Sequence, residues 1–336
     1  MGEGFRIDGQ AMKAGKAGND APLLEIENFS VRFGPVTAVS SVSFSVAKGE
    51  VFGVVGESGA GKSATAKGII GLLPASAKIG GSVRFKGEEL VGAPTSRLRE
   101  VRGSKIGYVF QDALSALDPV RTIADQLIEA RQVHMRSSNK EALDAAESLL
   151  AELKIVDPAR TLRSYPHQLS GGMRQRAVIA AALIADPELI IADEVTSALD
   201  VTVQRKVLDI LLGVCEARGA GVVMITHDLG VVAQTCDRVA VLYGGIVAEE
   251  ADVFSLFDNP RHPYTRALLQ SMPRMGGDAP FLPIPGSAIQ VLGTLESCPF
   301  APRCSSARPE CDRQLPPAIK LESGSVRCLY PLEVTQ

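Results

Sequence analysis

The chain has 336 residues, 46% hydrophobic and 22% charged, with a net charge of −3. That length allows one large domain and a smaller one around a sizeable core, and the near-neutral charge excludes a global attraction to nucleic acid or anionic lipid. The most apolar stretch, AVIAAALIADPELIIAD, is interrupted by Asp186, Pro187 and Glu188, so it offers no run of about 20 apolar residues to span a bilayer.

Residues 1–22 carry neither an apolar h-region nor a secretory cleavage pattern and read as a flexible N-terminal arm. A cytoplasmic location with reduced thiols is therefore expected. From Pro22 on, short β-branched runs alternate with helical patterns, which predicts an α/β fold. LLEIENFSVRFG and AVSSVSFSVAKG predict strands of a β-rich start, and EVFGVVG a buried strand that feeds a Gly-rich turn. The helix after that turn, KSATAKGIIGLL, ends before Pro74. Between Asp112 and about Asp186 the strand pattern fades, and helical stretches such as TIADQLIEARQ and KEALDAAESLLAEL take over. The second places Leu143, Ala146, Leu150 and Leu153 on one face. This predicts a helical subdomain over about 112–186, inserted in the α/β core. The core resumes with ELIIAD, a helix from Val201 to Arg218, and the strand GVVMITH. After Pro260 the composition shifts to Pro, Gly and Arg, which marks residues 259–336 as a C-terminal extension beyond a main domain over 23–258.

Three motifs carry chemistry. GESGAGKS matches G-x-x-x-x-G-K-[ST] through Gly56, Gly61, Lys62 and Ser63. Its glycines let backbone N–H groups turn toward a phosphate chain, Lys62 offers a point charge to the β and γ phosphates, and Ser63 a hydroxyl to Mg²⁺. LIIADE is an apolar strand that ends in Asp193, placed for the Mg²⁺ shell, and Glu194, placed to orient or deprotonate a water. LSGGMRQR supplies Ser170 as an N-cap and Gly171 and Gly172 as a bare helix start that an anion can approach closely.

Cysteines form a fourth pattern. Four of the six, Cys298, Cys304, Cys311 and Cys328, lie in the extension. In a reducing compartment such a group points to metal rather than disulfides. Its wide spacing departs from the C-x₂₋₄-C pairs of zinc sites and suits an iron–sulfur cluster better; zinc and unligated thiols remain alternatives. Arg303, Arg308 and Arg327 either offset a cluster's negative charge or are solvated. Cys215 and Cys236 read as small buried side chains.

In this order GESGAGKS, the glutamine of YVFQD, LSGGMRQR, LIIADE, SALD and the histidine of MITHD resemble the ATP-binding subunit of ABC transporters, over roughly Leu23 to Asp258. The resemblance implies an ABC-type P-loop ATPase core with an antiparallel β subdomain and an inserted helical subdomain. It implies that Phe33 stacks on adenine and that Ser58, Gly59, Ala60, Gly61, Lys62, Ser63 and Ala64 wrap the phosphates after Gly56. Gln111 reaches Mg²⁺ and the attacking water, Glu194 is the general base, and His227 contacts the γ-phosphate. Asp200 ends the SALD loop that meets an opposite monomer, whose ATP is contacted by Ser170, Gly171 and Gly172. Val195 and Ala113 stand where the family more often has Pro.

NPRHPYTRALLQSMPR, IPGS and CPFAPRC narrow the resemblance to the dipeptide, oligopeptide and nickel importers, and the chain's start resembles the first of that group's two paired ATPases. The resemblance implies a heterodimer with a sister ATPase on the cytoplasmic membrane face, docked on two permeases and fed by a solute-binding protein. It also implies a [4Fe–4S] cluster on the four cysteines, as some members have. The alternatives are import of nickel or another small solute, or a soluble non-transport ABC ATPase; no basic, aromatic-rich patch points to nucleic acid.

Overall fold

The computed structural model of the protein describes residues 21–195, 200–271 and 283–333. All of the expected N-terminal arm except Ala21 and Pro22 lies outside the described residues, as do Ser197–Leu199 of SALD and Met272–Arg274 of the proline-rich motif. The chain separates into two compact units, one built from residues up to 45, 51–91 and from 226 on, the other from residues 46–50 and 92–225.

The first unit opens with β1 (Leu24–Phe33) and β2 (Val36–Val46), whose largely alternating burial shows one face turned to a core. β3 (Val51–Val55), buried at four of its five positions, runs into the phosphate-type turn and α1 (Lys62–Ile69). β4 (Ala77–Phe85) pairs antiparallel with β1, from Leu24 opposite Phe85 to Phe33 opposite Ala77, and β5 (Glu88–Glu89) extends it.

The second unit follows with α2 (Thr95–Val101), β6 (Ile106–Val109) and a run of helices: α3 (Ala113–Ala116), α4 (Ile123–Met135), α5 (Asn139–Glu152), α6 (Pro158–Arg163) and α7 (Gly171–Leu183). The sequence starts two of these with reciprocal caps. Thr122 accepts from Asp125 N while Asp125 reaches back to the cap, and Ser138 and Glu141 do the same for α5. On α5 burial follows Ala142, Ala146, Leu149 and Leu150, with Leu153 just beyond its end. Leu143 is 38% exposed, a correction to the expected face: it lies at the edge of an apolar stripe centred nearer Ala146 and Leu153. β7 (Leu189–Asp193), α8 (Val201–Arg218) and β8 (Gly221–Ile225) complete this unit. β6, β7 and β8 are parallel, and β7 and β8 are buried at every position, as befits strands covered on both faces.

The chain then returns to the first unit with α9 (Leu229–Thr235), β9 (Arg238–Tyr243), β10 (Ile246–Asp252), α10 (Val253–Asp258) and α11 (Pro263–Gln270). Two short strands, β11 (Ile319–Leu321) and β12 (Gly324–Val326), come last. Within this unit the strands run β5-β4-β1-β2-β10-β9-β3. β12 pairs antiparallel with β10, placing Glu249 opposite Val326, so the extension adds its own hairpin to the unit's sheet. Tyr264 and Phe300 of the extension are buried in one core with Val55, Val241 and Tyr243. Past Pro260 the chain is thus held by a short hairpin ladder and by aromatic packing together. Among the described residues no helix is long and apolar enough to cross a membrane.

Candidate functional site

The phosphate-type turn is fixed by what its glycines allow. Gly56 has φ 151° and a Cβ there would lie 2.2 Å from the Leu242 carbonyl oxygen; Gly61 has φ 99° and its Cβ would meet the Ala38 oxygen at 2.4 Å. Both positions exclude any side chain, for reasons of conformation and of space together. The Lys62 ammonium, 5% exposed, donates to the carbonyls of Gly56 at 2.8 Å and Glu57 at 3.0 Å, and Ala60 N donates to Glu57 O at 3.2 Å. These bonds close the turn into a ring, with Ser58 and Gly59 exposed at its tip and Ser63 and Ala64 half-buried in the first turn of α1. No acidic residue stands in that first turn, so the positive end of the helix is left for an anion.

In the second unit, β7 delivers Asp193 at 3% exposure, and the Tyr108 hydroxyl donates to its Oδ2 at 2.7 Å. Tyr108 stands opposite Ile191 across the β6–β7 ladder, so the period of two puts its ring on the face that Asp193 shares. Burial first, and then the charge of Asp193, push the Tyr108 hydroxyl well above its ordinary range, which keeps the proton on the donor. The motif reading missed Tyr108. The only trace in the sequence is a tyrosine three residues before Gln111, and nothing there states the strand or the register that brings it to Asp193. Gln111 Nε2 donates to Glu194 Oε2 at 2.7 Å. Glu194 has φ 46°, a left-handed conformation unusual outside glycine, and its N–H is held by the Ile225 carbonyl at 2.9 Å. Val195 follows it, 4% exposed, in the position where proline was the family expectation.

The remaining expected residues are placed as follows. Phe33, half-buried, ends β1. His227 is exposed between Thr226 and Asp228, and Asp228 caps α9 by accepting from Gly230 N and Val231 N. Ser170 caps α7 by accepting from Met173 N, and Ser170 and Gly171 are exposed while Gly172 is half-buried. Asp200, exposed, caps α8 through Val203 N at 3.0 Å. Each unit thus brings some of the predicted residues together: Gly56 to Ala64 in one, and Gln111, Asp193 and Glu194 in the other.

Cys298, Cys304, Cys311 and Cys328 line a single small cavity with His262 and Phe300, and none of them is in a disulfide. Burial pushes the Cys298 thiol up to about 11 and raises those of Cys304 and Cys328 as well. Among the described residues no three His, Cys, Asp or Glu side chains are grouped so as to hold a metal ion. The four thiols line one space and have the ligand type and number that an iron–sulfur cluster takes. His262, 3% exposed, is pushed down to about 4 by burial. Arg303 corrects the solvated reading: its side chain is 7% exposed and bound to Glu57. Arg308 stacks on Tyr330, 4.0 Å from the ring centroid, and Arg327 donates to Pro316 O. Cys215 is buried as expected, and Cys236 is half-buried.

A family model described as ABC transporter matches residues 39–197, and one described as oligopeptide/dipeptide transporter, C-terminal region, matches residues 248–311. The chain is 49% identical over 298 residues to the oligopeptide transport ATP-binding protein OppD of Mycobacterium tuberculosis. That alignment takes in 87% of this chain and 49% of the relative, so the chain spans about half the relative's length. With the dipeptide transport ATP-binding protein DppD of Bacillus subtilis it shares 45% identity over 314 residues, 91% of this chain and 94% of that one. Among solved structures, the ATP-binding cassette MJ0796, in a dimeric post-hydrolysis state bound to ADP and Pi, superposes with a TM-score of 0.61 at 29% identity, over 68% of this chain and 98% of that one. The chain belongs to the ABC transporter ATPase family, in the group that carries the oligopeptide/dipeptide transporter C-terminal region.

Proposed function

We propose that the chain binds and hydrolyses ATP to drive import of di- or oligopeptides through membrane permeases, to which it attaches at the cytoplasmic face. The observation that carries this reading is the joint match of residues 39–197 and 248–311, a cassette followed by a peptide-transporter C-terminal region. The working unit is a heterodimer with a sister ATPase, served by a solute-binding protein.

The residues divide the chemistry as follows. Phe33 stacks on adenine. The backbone N–H groups of the turn from Ser58 to Ala64, the end of α1 and Lys62 hold the phosphates. Ser63, Gln111 and Asp193 are hard oxygen donors suited to Mg²⁺, which when bound neutralises charge on the phosphates. Tyr108 positions Asp193, and the 2.7 Å bond from Gln111 orients Glu194 as the group that takes the proton of the attacking water. His227 contacts the γ-phosphate, and Asp200, Ser170, Gly171 and Gly172 serve the face toward the sister subunit. The test is Glu194→Gln: ATP binding persists and turnover falls by roughly 10²–10⁴-fold, because an amide cannot accept that proton. Turnover close to that of the wild type removes Glu194 from the role of base. Peptide transport itself is tested by co-purification with permeases and peptide-stimulated hydrolysis in the assembled complex.

Cys298, Cys304, Cys311 and Cys328 hold a [4Fe–4S] cluster in this reading, which ties down a segment rich in loops. Support comes from the cavity the four thiols share and from the run CPFAPRC. Anaerobic purification with iron and sulfide analysis decides it; a colourless protein with stoichiometric zinc overturns it.

A further inference from the structure

The phosphate turn and the cysteine segment meet at one residue, Glu57. Arg303 lies in the Cys298–Cys304 loop, one position before Cys304, and grips the Glu57 carboxylate with both ends of its guanidinium: Nη1 to Oε2 at 2.6 Å and Nη2 to Oε1 at 3.0 Å. A second residue of the extension, Tyr264, offers its hydroxyl to the Glu57 N–H at 3.0 Å. On the other side the Glu57 carbonyl accepts from Lys62 Nζ and Ala60 N. Every polar group of Glu57 is therefore engaged, two from the extension and one within the turn.

Arg303 in turn is held by the cysteine segment and its surroundings. Its Nε donates to Pro285 O at 2.7 Å, its Nη1 also donates to the Tyr243 hydroxyl at 3.1 Å, and the guanidinium lies 5.7 Å from the Tyr243 ring centroid. The short helical turn Ala301–Arg303 is closed by Arg303 N to Phe300 O at 2.9 Å and continued by Cys304 N to Ala301 O at 3.2 Å, while Cys298 N donates to Cys311 O at 3.0 Å. Phe300, 2% exposed, packs on Tyr243 and Tyr264 with centroids 5.2 and 5.3 Å away. A shift of the four-cysteine cavity has to move this turn, and with it the guanidinium. A bidentate pair transmits such a shift because its two parallel bonds fix the carboxylate in direction as well as distance, and the Arg303 side chain, 7% exposed, has little water to turn to instead.

We propose that Arg303 is a positioning residue for the phosphate turn, and that through Glu57 the state of the four-cysteine segment sets the affinity for nucleotide. This rests on the ATPase reading above and adds a regulatory link to it. The link is reciprocal: nucleotide bound at the turn also protects the cysteine segment.

Two measurements on the full chain test it. Equilibrium ATP binding is compared for the wild type, Glu57→Gln, Arg303→Lys and the double variant. Glu57→Gln keeps the shape of a half-buried side chain, so it guards against a result due to misfolding. Each single variant is expected to bind ATP about 5- to 10-fold more weakly, with the double variant no weaker than the worse single one. The second measurement is the rate of iodoacetamide labelling at Cys304, read by mass spectrometry. Saturating ATP is expected to slow it in the wild type and to leave it unchanged in Glu57→Gln. Unaltered ATP affinity in both single variants, additive losses in the double variant, or labelling that ignores ATP in the wild type each overturns the coupling. A wild-type chain that binds no ATP overturns the ATPase reading and this inference together.

Discussion

The phosphate turn and the cysteine segment are both irregular, and both rest on the same unit, yet they are held in opposite ways. Apart from Glu57, the turn is fixed from within: Gly56 and Gly61 occupy conformations and spaces closed to other residues, and Lys62 bonds to carbonyls five and six residues back. The cysteine segment is fixed from outside, by Phe300 and Tyr264 packed against Tyr243 and by Arg303 reaching a carboxylate 246 positions away in the chain. What is held locally leaves a pattern in the sequence; what is held by distant side chains does not.

The largest effect is expected where the turn has no freedom. Gly56→Ala would press a methyl group into the Leu242 carbonyl, and we expect loss of ATP binding together with about 3 kcal/mol or more of lost stability in urea denaturation. Gly59→Ala sharpens the contrast, since a Cβ there meets nothing within 4 Å and only the φ of 82° resists it, so a loss of about 1–2 kcal/mol is expected. Equal losses for the two would contradict the steric account.

Phe300→Ala probes the segment held from outside. It removes the ring on which the cysteine loop rests, and about 3–5 kcal/mol of unfolding free energy is expected to go with it, together with faster alkylation of Cys298. A drop of under about 1 kcal/mol would mean that the loop holds itself, as the phosphate turn does.

Tyr108→Phe is an intermediate case, in which a locally legible carboxylate depends on a neighbouring strand. The buried Asp193 loses a 2.7 Å donor, so a stability loss of about 1–3 kcal/mol and weaker Mg²⁺ dependence of turnover are expected. Unchanged Mg²⁺ dependence would leave Tyr108 as packing alone.

The smallest effects belong to the helix caps, the most local devices in the molecule. Ser138→Ala should cost about 1 kcal/mol. The cap hydrogen bonds from Ser138 hold Glu141 below its ordinary 4.5, and those from Thr122 hold Asp125 below 3.8. Because both folded-state values are depressed, this stabilisation is present above the ordinary values and is lost as pH falls through the depressed ones. Helix content followed by circular dichroism should therefore fall less steeply with acid once Glu141→Ala and Asp125→Ala are in place; an unchanged slope would show that the caps carry none of the acid sensitivity.

Much of the architecture was legible. The boundaries of α8 coincide with the predicted Val201–Arg218, and between Ala113 and Leu183 the described elements are helices, as the period of TIADQLIEARQ and KEALDAAESLLAEL predicts. Less was legible at residue level. Leu143 was assigned to the buried face of α5 and lies at its edge, because the pattern gives the period of a stripe but not where the neighbouring helices centre it. The left-handed Glu194 was equally hidden, since a single strained residue has no compositional trace outside glycine.

By itself the sequence determined the motifs whose chemistry is carried by the backbone over a few residues: the turn at Gly56–Ser63, the apolar strand ending in Asp193 and Glu194, and the capped start of α7. It also assembled the list of four cysteines. Tertiary structure alone decided that those cysteines share one cavity, that Tyr108 serves Asp193, and that Arg303 and Tyr264 close on Glu57. The reason lies in range. Glycine conformations, caps and hydrophobic periods act over one to eight neighbours and must be written there, whereas a buried ion pair or an aromatic cluster depends on which distant segments the packed core brings within about 3–5 Å.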